Sequence, residues 1–371
     1  MTIYRPTWVE ISKRTFENNV GLVKKKIGSQ VSLLTVLKAD GYGHHARILA
    51  PLALKKGAHT IGVSSLEEGL DLRESGISSR IFLLGGIYPF QNFSVAIKAR
   101  LIPTVASLTG AQALAQLAKK AGRRVSFHLK VDTGMGRIGV SLPEAVVILN
   151  WVRSQPALLL EGVYSHFASA DKDPNFTNLQ LKRILNIRYY CAQLGFEGLL
   201  FHIANSAAIL THRESHLNMV RPGLILYGLS PFSAHHNKEF SPVLNWKSRV
   251  IFLKTVPRGT SISYNRTFIT KRHSVIGTLP VGYADGIPRL ASNKGYVLIN
   301  GTSCPIVGRV TMDHIMVDVT GKRVKIGDIA VLIGRQGSQK ITAHDWAGWA
   351  MTNPYEICCG ISKRVPRVVV T

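Results

Sequence analysis

Eight short runs rich in β-branched and large apolar residues recur between positions 31 and 222, and amphipathic segments separate most of them. No other feature limits the fold so tightly. The runs are VSLLTVL (31–37), HTIGVSS (59–65), RIFLLG (80–85), LIPTVAS (101–107), VSFHLKVD (125–132), EGVYSH (161–166), LFHIAN (200–205) and LNMVRP (217–222). Stretches between them such as SLEEGLDLRES and LTGAQALAQLAKKAG carry the helical period, the second ending on Gly122 as a C-cap. Strands alternating with helices favour parallel pairing, so eight such units predict an α/β fold, a (β/α)8 barrel of the TIM type. After LSPFSAHHNKEFSP (229–242) the texture changes. Runs such as NWKSRVIFLKTV, SVIGTLPVG, GYVLINGTSCPIVGRV and DHIMVDV are separated by Gly, Pro and Asn and read as hairpins. The expected organisation is an N-terminal strand (1–10) associated with a β domain, a barrel over 11–235, and a mostly β domain over 236–371. Its main helix is predicted at TAHDWAGWAM (342–351), opened by a capping Thr342.

The remaining composition narrows the class of function. With 371 residues, 46% hydrophobic and 18% charged, the chain reads as a soluble globular protein of two domains. The start, MTIYRPTWVEISKRTFENNV, alternates polar and apolar residues and has no signal-peptide core. No apolar stretch approaches the roughly 20 residues that span a bilayer, so a cytoplasmic location without membrane insertion is expected. Cys191, Cys304, Cys358 and Cys359 form no CxxC, which argues against a disulfide framework or a zinc site; no metal is expected. The net charge of +25 raises the question of polyanion binding. Its clusters (Lys24–Lys26, Lys55–Lys56, Arg123–Arg124, Lys271–Arg272) are short and scattered, as on a solvated basic surface, so no specific nucleic-acid partner is expected.

Chemistry in such a barrel sits at the carboxyl ends of its strands. The first strand runs into LKADGYGH. A lysine buried there is costly unless it is paired, depressed in pKa or covalently modified, and Schiff-base formation with a carbonyl cofactor is one use of it. A surface lysine just past the strand is the other reading. Tyr42 lies between two glycines, where backbone can approach a ligand closely. The fifth strand gives HLKVDTGMGRIGV, with Lys130, Asp132 and Arg137. GMGRIG (134–139) also fits the dinucleotide fingerprint, with Glu161 at about the required spacing. That fingerprint normally follows the first strand of its unit, whereas four strand–helix pairs precede this one, so the dinucleotide reading is the weaker. The later strands end in His166, in Asn205 and Ser206, and in Arg221. Together these residues put a base, hydroxyl and amide donors and a fixed cation around one barrel mouth.

The motifs LKADGYGH, LKVDTGMGRIG, YSHFASAD, IANSAA, MVRPG, ISYNRTF, GYADG, GRVTMDHIMVD and NPYEI, in this order, resemble those of the alanine racemases across essentially the whole chain. The resemblance implies that pyridoxal 5′-phosphate is carried on Lys38. Its phosphate would be held by Tyr42, Ser206 and Tyr355 and by backbone N–H groups near Gly223 and Leu224, with Asn205 alongside. Arg221 would face the pyridine nitrogen; a guanidinium does not give up a proton, so the ring nitrogen stays unprotonated and the cofactor is a weaker electron sink. Racemisation needs a proton removed from one face of Cα and returned on the other, and Lys38 and Tyr264 are the two bases implied. An ordinary tyrosine costs roughly 4 kcal/mol to ionise at pH 7; a contact from His166, itself touched by Arg221, would supply part of the stabilisation.

The same resemblance implies a homodimer in which Tyr264 and Met312 reach the partner's barrel. Arg137 and the Met312 N–H, beside Asp313, would meet the substrate carboxylate. Lys130 stands where many relatives carry a carbamylated lysine, and Tyr283, Asp171, Arg289 and Arg309 would line the entrance with Tyr355. D-alanine for peptidoglycan is the implied product. Two positions depart from the commoner pattern: ADGYGHH replaces AxAYGHG, so that Gly41 would loosen the phosphate loop, and Thr311 stands where Cys is frequent. A broader amino-acid racemase of the same fold is the competing reading. Related decarboxylases set a carboxylate against the pyridine nitrogen, which Arg221 opposes. A basic polyanion-binding protein rests on net charge alone.

Overall fold

The structure, a computed structural model, describes residues 4–232 and 239–371. It starts with strand β1 (Thr7–Ser12) and the helix Lys13–Ile27, whose first turn is capped by the Ser12 hydroxyl accepting from the Thr15 N–H. Eight parallel strands follow: β2 (Ser32–Val36), β3 (Thr60–Val63), β4 (Ile81–Gly86), β5 (Ile102–Val105), β6 (Val125–Lys130), β7 (Leu158–Tyr164), β8 (Leu200–His202) and β9 (Met219–Val220). From β2 to β8 they pair in chain order, and β9 returns to pair with β2. Across the last seam the Asn218 N–H donates to the Phe201 carbonyl at 3.1 Å, and the Phe201 N–H to Asn218 Oδ1 at 3.2 Å. The result is a nearly closed (β/α)8 barrel, with a strand at each of the eight expected runs.

The helices outside it begin where the sequence supplies caps: Ser65 before Leu66–Glu74, Ser107 before Leu108–Lys120, and a reciprocal Ser141–Glu144 capping box before Leu142–Val152. Gly122 sits just past the end of Leu108–Lys120 in the left-handed conformation expected of it. Inside the barrel, Leu34, Val36, Phe82, Ile102, Tyr164 and Met219 pack into one cluster. That packing makes the barrel a filled core with its chemistry confined to the ends.

The C-terminal region is mostly β. β1 lies between β10 (Leu244–Arg249), antiparallel to it, and the last strand, Arg367–Val370, parallel to it. Ile329–Gln336, the hairpin Tyr296–Ile299/Thr302–Pro305 and Gln339–Ile341 complete a seven-stranded sheet. The hairpin turns on Asn300 and Gly301, both at positive φ, the pairing that matches strand twist. The run NWKSRVIFLKTV is not one strand. It leaves β10 at Val250 and continues as Phe252–Val256 in a separate antiparallel sheet with Ser274–Leu279 and Ile315–Asp318. The expected helix is present as Ala343–Ala350, with a Thr342–Asp345 capping box. A second helix, Pro354–Gly360, was not expected; Asn353 caps it and Pro354 takes its first turn. The domain boundary placed at 235/236 lies outside the described residues. No helix among the described residues is long and apolar enough to cross a membrane.

Candidate active site

The carboxyl ends of the barrel strands surround a cavity of about 640 Å³. Lys38, Tyr42, Lys130 and Arg137 line it from the first and fifth strand–helix units. His166, Asn205, Ser206, Arg221, Gly223 and Leu224 line it from the last three, and Asp171 and Tyr355 stand at its edge. Tyr355 comes from the helix Pro354–Gly360 of the β region.

Lys38 is presented by an unusual turn. Ala39, Asp40, Gly41 and Tyr42 all have φ between 52° and 63°, a left-handed turn directly after the lysine. L-residues pay roughly 1–2 kcal/mol each for that conformation, so side-chain contacts must hold it. The Glu68 carboxylate accepts from the Ala39 N–H and from the Ser64 N–H, each at 2.6 Å, tying the turn to the end of β3. Asp40 Oδ1 accepts from the Ala46 N–H at 2.8 Å. Burial, then the nearby Arg137 guanidinium, lowers the pKa of Lys38 and favours its neutral amine. Lys130 is 5% exposed, and burial together with Arg221 and Arg137 pushes it down to about 7.

The same cavity holds a cluster of hydroxyl and backbone donors. The Gly223 N–H donates to Ser206 Oγ at 3.0 Å, and a Cβ on Gly223 would lie 2.7 Å from Tyr42 Oη. Only glycine lets the two hydroxyls and this stretch of backbone crowd together. Burial raises the Tyr42 pKa, so the group remains a hydroxyl and can donate. A phosphate suits such a set of neutral donors.

Arg221 is 4% exposed, and four acceptors fix its guanidinium. Nη1 donates to His202 Nδ1 at 2.9 Å; Nη2 donates to the Ser165 carbonyl at 2.6 Å, His166 Nδ1 at 3.1 Å and the Ile203 carbonyl at 3.2 Å. Burial lowers its pKa to about 10, which leaves it cationic at neutral pH. Because Arg221 can only donate, His166 must accept at Nδ1 and carry its proton on Nε2. Burial, then Arg221 and the other nearby cations, holds His166 neutral well below its ordinary pKa. It is thus a hydrogen-bond donor at Nε2.

The remaining predicted residues are not part of this cavity's lining. Tyr264 lies in the turn of the small ribbon Ser261–Ile262/Phe268–Ile269, 68% exposed. Ser263, Asn265 and Arg266 around it have positive φ, and Ser263 Oγ donates to the Arg309 carbonyl at 2.7 Å. Met312 and Tyr283 are also exposed, and Arg289 lies at the surface. The Met312 turn is braced from two sides. Tyr283 and Ala284 N–H groups donate to the Thr311 and Met312 carbonyls, and Asp313 pairs with Arg364 at 2.7 Å. Arg364 also approaches the fully buried Asp285, which binds Arg5 through both carboxylate oxygens at 2.5 Å.

The GMGRIG loop does not offer a phosphate site. Asp132 accepts from the Gly134, Met135 and Gly136 N–H groups at 2.8, 2.8 and 2.9 Å, consuming the donors a dinucleotide would need. Glu161 is paired instead with Arg80 and His128. Sequence reasoning missed Glu68, although SxxE at 65–68 is a capping signature that marks the segment. It also missed Tyr164, whose hydroxyl bonds Thr104 Oγ1 at 2.7 Å under the cavity floor.

Comparison with known proteins decides the family. Residues 11–231 match the model for the alanine racemase N-terminal domain, and residues 243–369 that for the alanine racemase C-terminal domain. The chain belongs to the alanine racemase family. The alanine racemase of Halothermothrix orenii is 46% identical over 368 residues, 98% of this chain and 97% of that one. The crystal structure of the Bacillus anthracis alanine racemase with bound L-Ala-P superposes with a TM-score of 0.94 at 37% identity, covering 100% of this chain and 96% of that one. The Bartonella henselae alanine racemase, crystallised with covalently bound pyridoxal phosphate, gives a TM-score of 0.88 at 28% identity over 98% of this chain and 99% of that one.

Two departures from the commoner alanine racemase pattern have structural accounts. Gly41 adopts φ 63°, ψ 42°, a conformation glycine occupies without strain, so it relieves the turn instead of loosening it. Thr311 Oγ1 donates to the His314 carbonyl at 2.8 Å and accepts from the His314 N–H at 3.1 Å, closing the Met312 turn with bonds that a thiol makes only weakly.

Proposed function

We propose that this chain interconverts L- and D-alanine using pyridoxal 5′-phosphate, with Lys38 and Tyr264 as opposed bases. The observation that carries the proposal is one cavity holding a lysine with lowered pKa, a donor cradle at Tyr42, Ser206 and Gly223, and a buried cation at Arg221. The cofactor, when bound, supplies an electron sink that acidifies the Cα proton of the amino acid joined to it. Lys38 would hold it; Tyr42, Ser206, Tyr355 and the Leu224 N–H would grip its phosphate, joined by the Gly223 N–H once that donor turns from Ser206 Oγ to the phosphate, with Asn205 alongside. Arg221 would face the ring nitrogen as a donor.

Within this reading Lys38 takes the proton from one face of Cα as a neutral amine and returns a proton to that face as the ammonium. The opposite face needs a second base, and Tyr264 lies outside the cavity of its own chain. A symmetric dimer supplies it: the partner subunit's Tyr264 enters with its oxygen near His166, whose Nε2–H stabilises the phenolate by donation. Arg137 and the N–H of the partner subunit's Met312 take the substrate carboxylate. Asp171, Tyr355 and the partner's Tyr283, Arg289 and Arg309 narrow the approach, leaving room for a substrate as small as alanine. The free thiols Cys191, Cys304, Cys358 and Cys359 fit a cytoplasmic enzyme supplying D-alanine to bacterial peptidoglycan.

Lys130 is the proposed site of a carbamate. Its amine, pushed down to about 7, is largely neutral above neutral pH and can add to CO2 with loss of one N–H proton to solvent, and the resulting carbamate anion would pair with Arg137. With 13C-bicarbonate the enzyme should show a carbamate carbon by NMR that grows as pH rises through 7 and is missing in Lys130→Ala. A signal unchanged in that variant assigns the adduct elsewhere.

The function is tested by incubating the holoenzyme with L-alanine in heavy water. D-alanine carrying deuterium at Cα is the expected product. Racemisation of another amino acid, with alanine untouched, transfers the reading to a different substrate; no Cα exchange on any amino acid ends it.

A further inference from the structure

Arg221 is one end of a hydrogen-bonded chain that leaves the active site and runs down the barrel axis. His202 Nδ1 accepts from Arg221 at 2.9 Å; His202 Nε2 lies 2.8 Å from His128 Nδ1; His128 Nε2 lies 3.3 Å from Glu161 Oε1. Glu161 in turn pairs with Arg80, which immediately precedes β4 and so stands at the barrel's opposite mouth. His202 is fully buried and His128 is 2% exposed.

The direction of every bond is determined from the two ends. A guanidinium only donates, so His202 accepts at Nδ1 and, as a neutral ring, carries its proton on Nε2. That proton points to His128 Nδ1, which therefore accepts and leaves the His128 proton on Nε2. The last acceptor is a carboxylate, which only accepts. Burial lowers the pKa of both histidines, keeping them neutral. Although burial alone would raise Glu161, the bonds from His128 and Arg80 outweigh it and hold the group at about 2, an anion.

The backbone is shaped to make this chain. Along β6 and β7, Phe127 pairs with Leu160 but His128 pairs with Gly162, so Glu161 is the extra residue of a bulge. Bulges re-aim side chains; this one turns Glu161 towards His128. The next residue must be glycine, because a Cβ on Gly162 would lie 2.7 Å from His128 Nδ1 and 2.5 Å from the Leu200 carbonyl oxygen.

We propose that Glu161 is a positioning residue for the racemase reaction: through His128 and His202 it reinforces, from the far end, the imidazole tautomer that accepts from Arg221, and so helps to hold that guanidinium in place at the active site. The inference rests on the reading of Arg221 as the cation facing the cofactor ring. Glu161→Gln offers an amide that can accept from His128 or, rotated, donate to it. Rotated, it reverses both tautomers and sets an N–H of His202 against Arg221.

The test is side-chain 1H–15N NMR of the histidine-labelled holoenzyme, with kcat and KM for alanine measured alongside. Wild type should show protonated Nε2 and bare Nδ1 at both His128 and His202. Glu161→Gln should show mixed tautomers and a kcat lower by about 10–100-fold, the range that removing the hydrogen-bond partner of a metal-bound histidine gives. KM should move less than kcat, and Glu161→Asp should recover part of the rate. A wild-type His202 protonated on Nδ1 overturns the proposal without any variant, which matters if Glu161→Gln fails to fold. A Glu161→Gln enzyme with ordered tautomers and wild-type kcat overturns it as well. A wild-type holoenzyme that does not racemise alanine defeats the functional reading instead, and the proposed role of Glu161 with it, whatever tautomers are seen.

Discussion

Lys38→Ala should abolish racemisation in both directions, lowering the rate by at least about 10⁴-fold even with pyridoxal phosphate in excess. A positioned proton-transfer group alone contributes about 10²–10⁴-fold; in the proposed mechanism the same amine also holds the cofactor, so the two losses coincide. The effect is expected to be chemical and not structural. Lys38 sits after β2 in a turn whose shape is held by Glu68 and Asp40, not by the lysine amine. Removing a buried amine whose pKa burial already depresses leaves no unpaired partner behind. Thermal unfolding should therefore change little while Cα-proton exchange with heavy water disappears. Retention of exchange near the wild-type rate would remove Lys38 from the mechanism.

Tyr264→Phe should lower racemisation by about 10²–10⁴-fold, the contribution of one general acid–base group, but leave a distinctive residue of activity. With the opposite base gone, Lys38 can still remove a proton from one face and return it to the same face. One enantiomer of alanine should exchange its Cα proton for deuterium with its configuration retained, and the other should exchange far more slowly. Nuclear magnetic resonance of each enantiomer in heavy water, read with a chiral separation, measures this. Equal exchange of both enantiomers with inversion would mean that Tyr264 is not the second base. Because Tyr264 is mostly exposed on its own chain, the substitution should not reduce that chain's stability noticeably.

The barrel was legible in the sequence because its strands are buried on both faces and appear as nearly continuous apolar runs. Their polar terminal residues, Lys38, Lys130, His166, Asn205 and Arg221, stood out against those runs and line one cavity. What could not be read depends on geometry between segments distant in sequence. NWKSRVIFLKTV looks uniform along the chain, yet its halves belong to different sheets because Val250 bonds Asp328 while Ile251 bonds Thr278. Gly223 is informative only once the Tyr42 hydroxyl is seen against it. His128, His202 and Glu161 were scattered over three strands as isolated polar residues. Only the bulge that shifts the β6–β7 register brings the carboxylate to the imidazole. The left-handed turn after Lys38 is likewise invisible in ADGY, of which only Gly41 prefers that conformation.

In the proposed enzyme the two bases of one site come from two chains, and mixing subunits tests this arrangement. Lys38→Ala and Tyr264→Phe proteins, each expected to racemise at no more than about 1% of the wild-type rate alone, are to be dissociated, combined in equal amounts and reassociated, and alanine racemisation measured. If the site is shared, each mixed dimer contains one site with both Lys38 and the partner subunit's Tyr264, and one site with neither. Random pairing makes half the dimers mixed, so the mixture should recover about a quarter of wild-type activity. If Lys38 and Tyr264 act within one chain, every chain still carries a lesion, and mixing, with reassociation verified, recovers nothing.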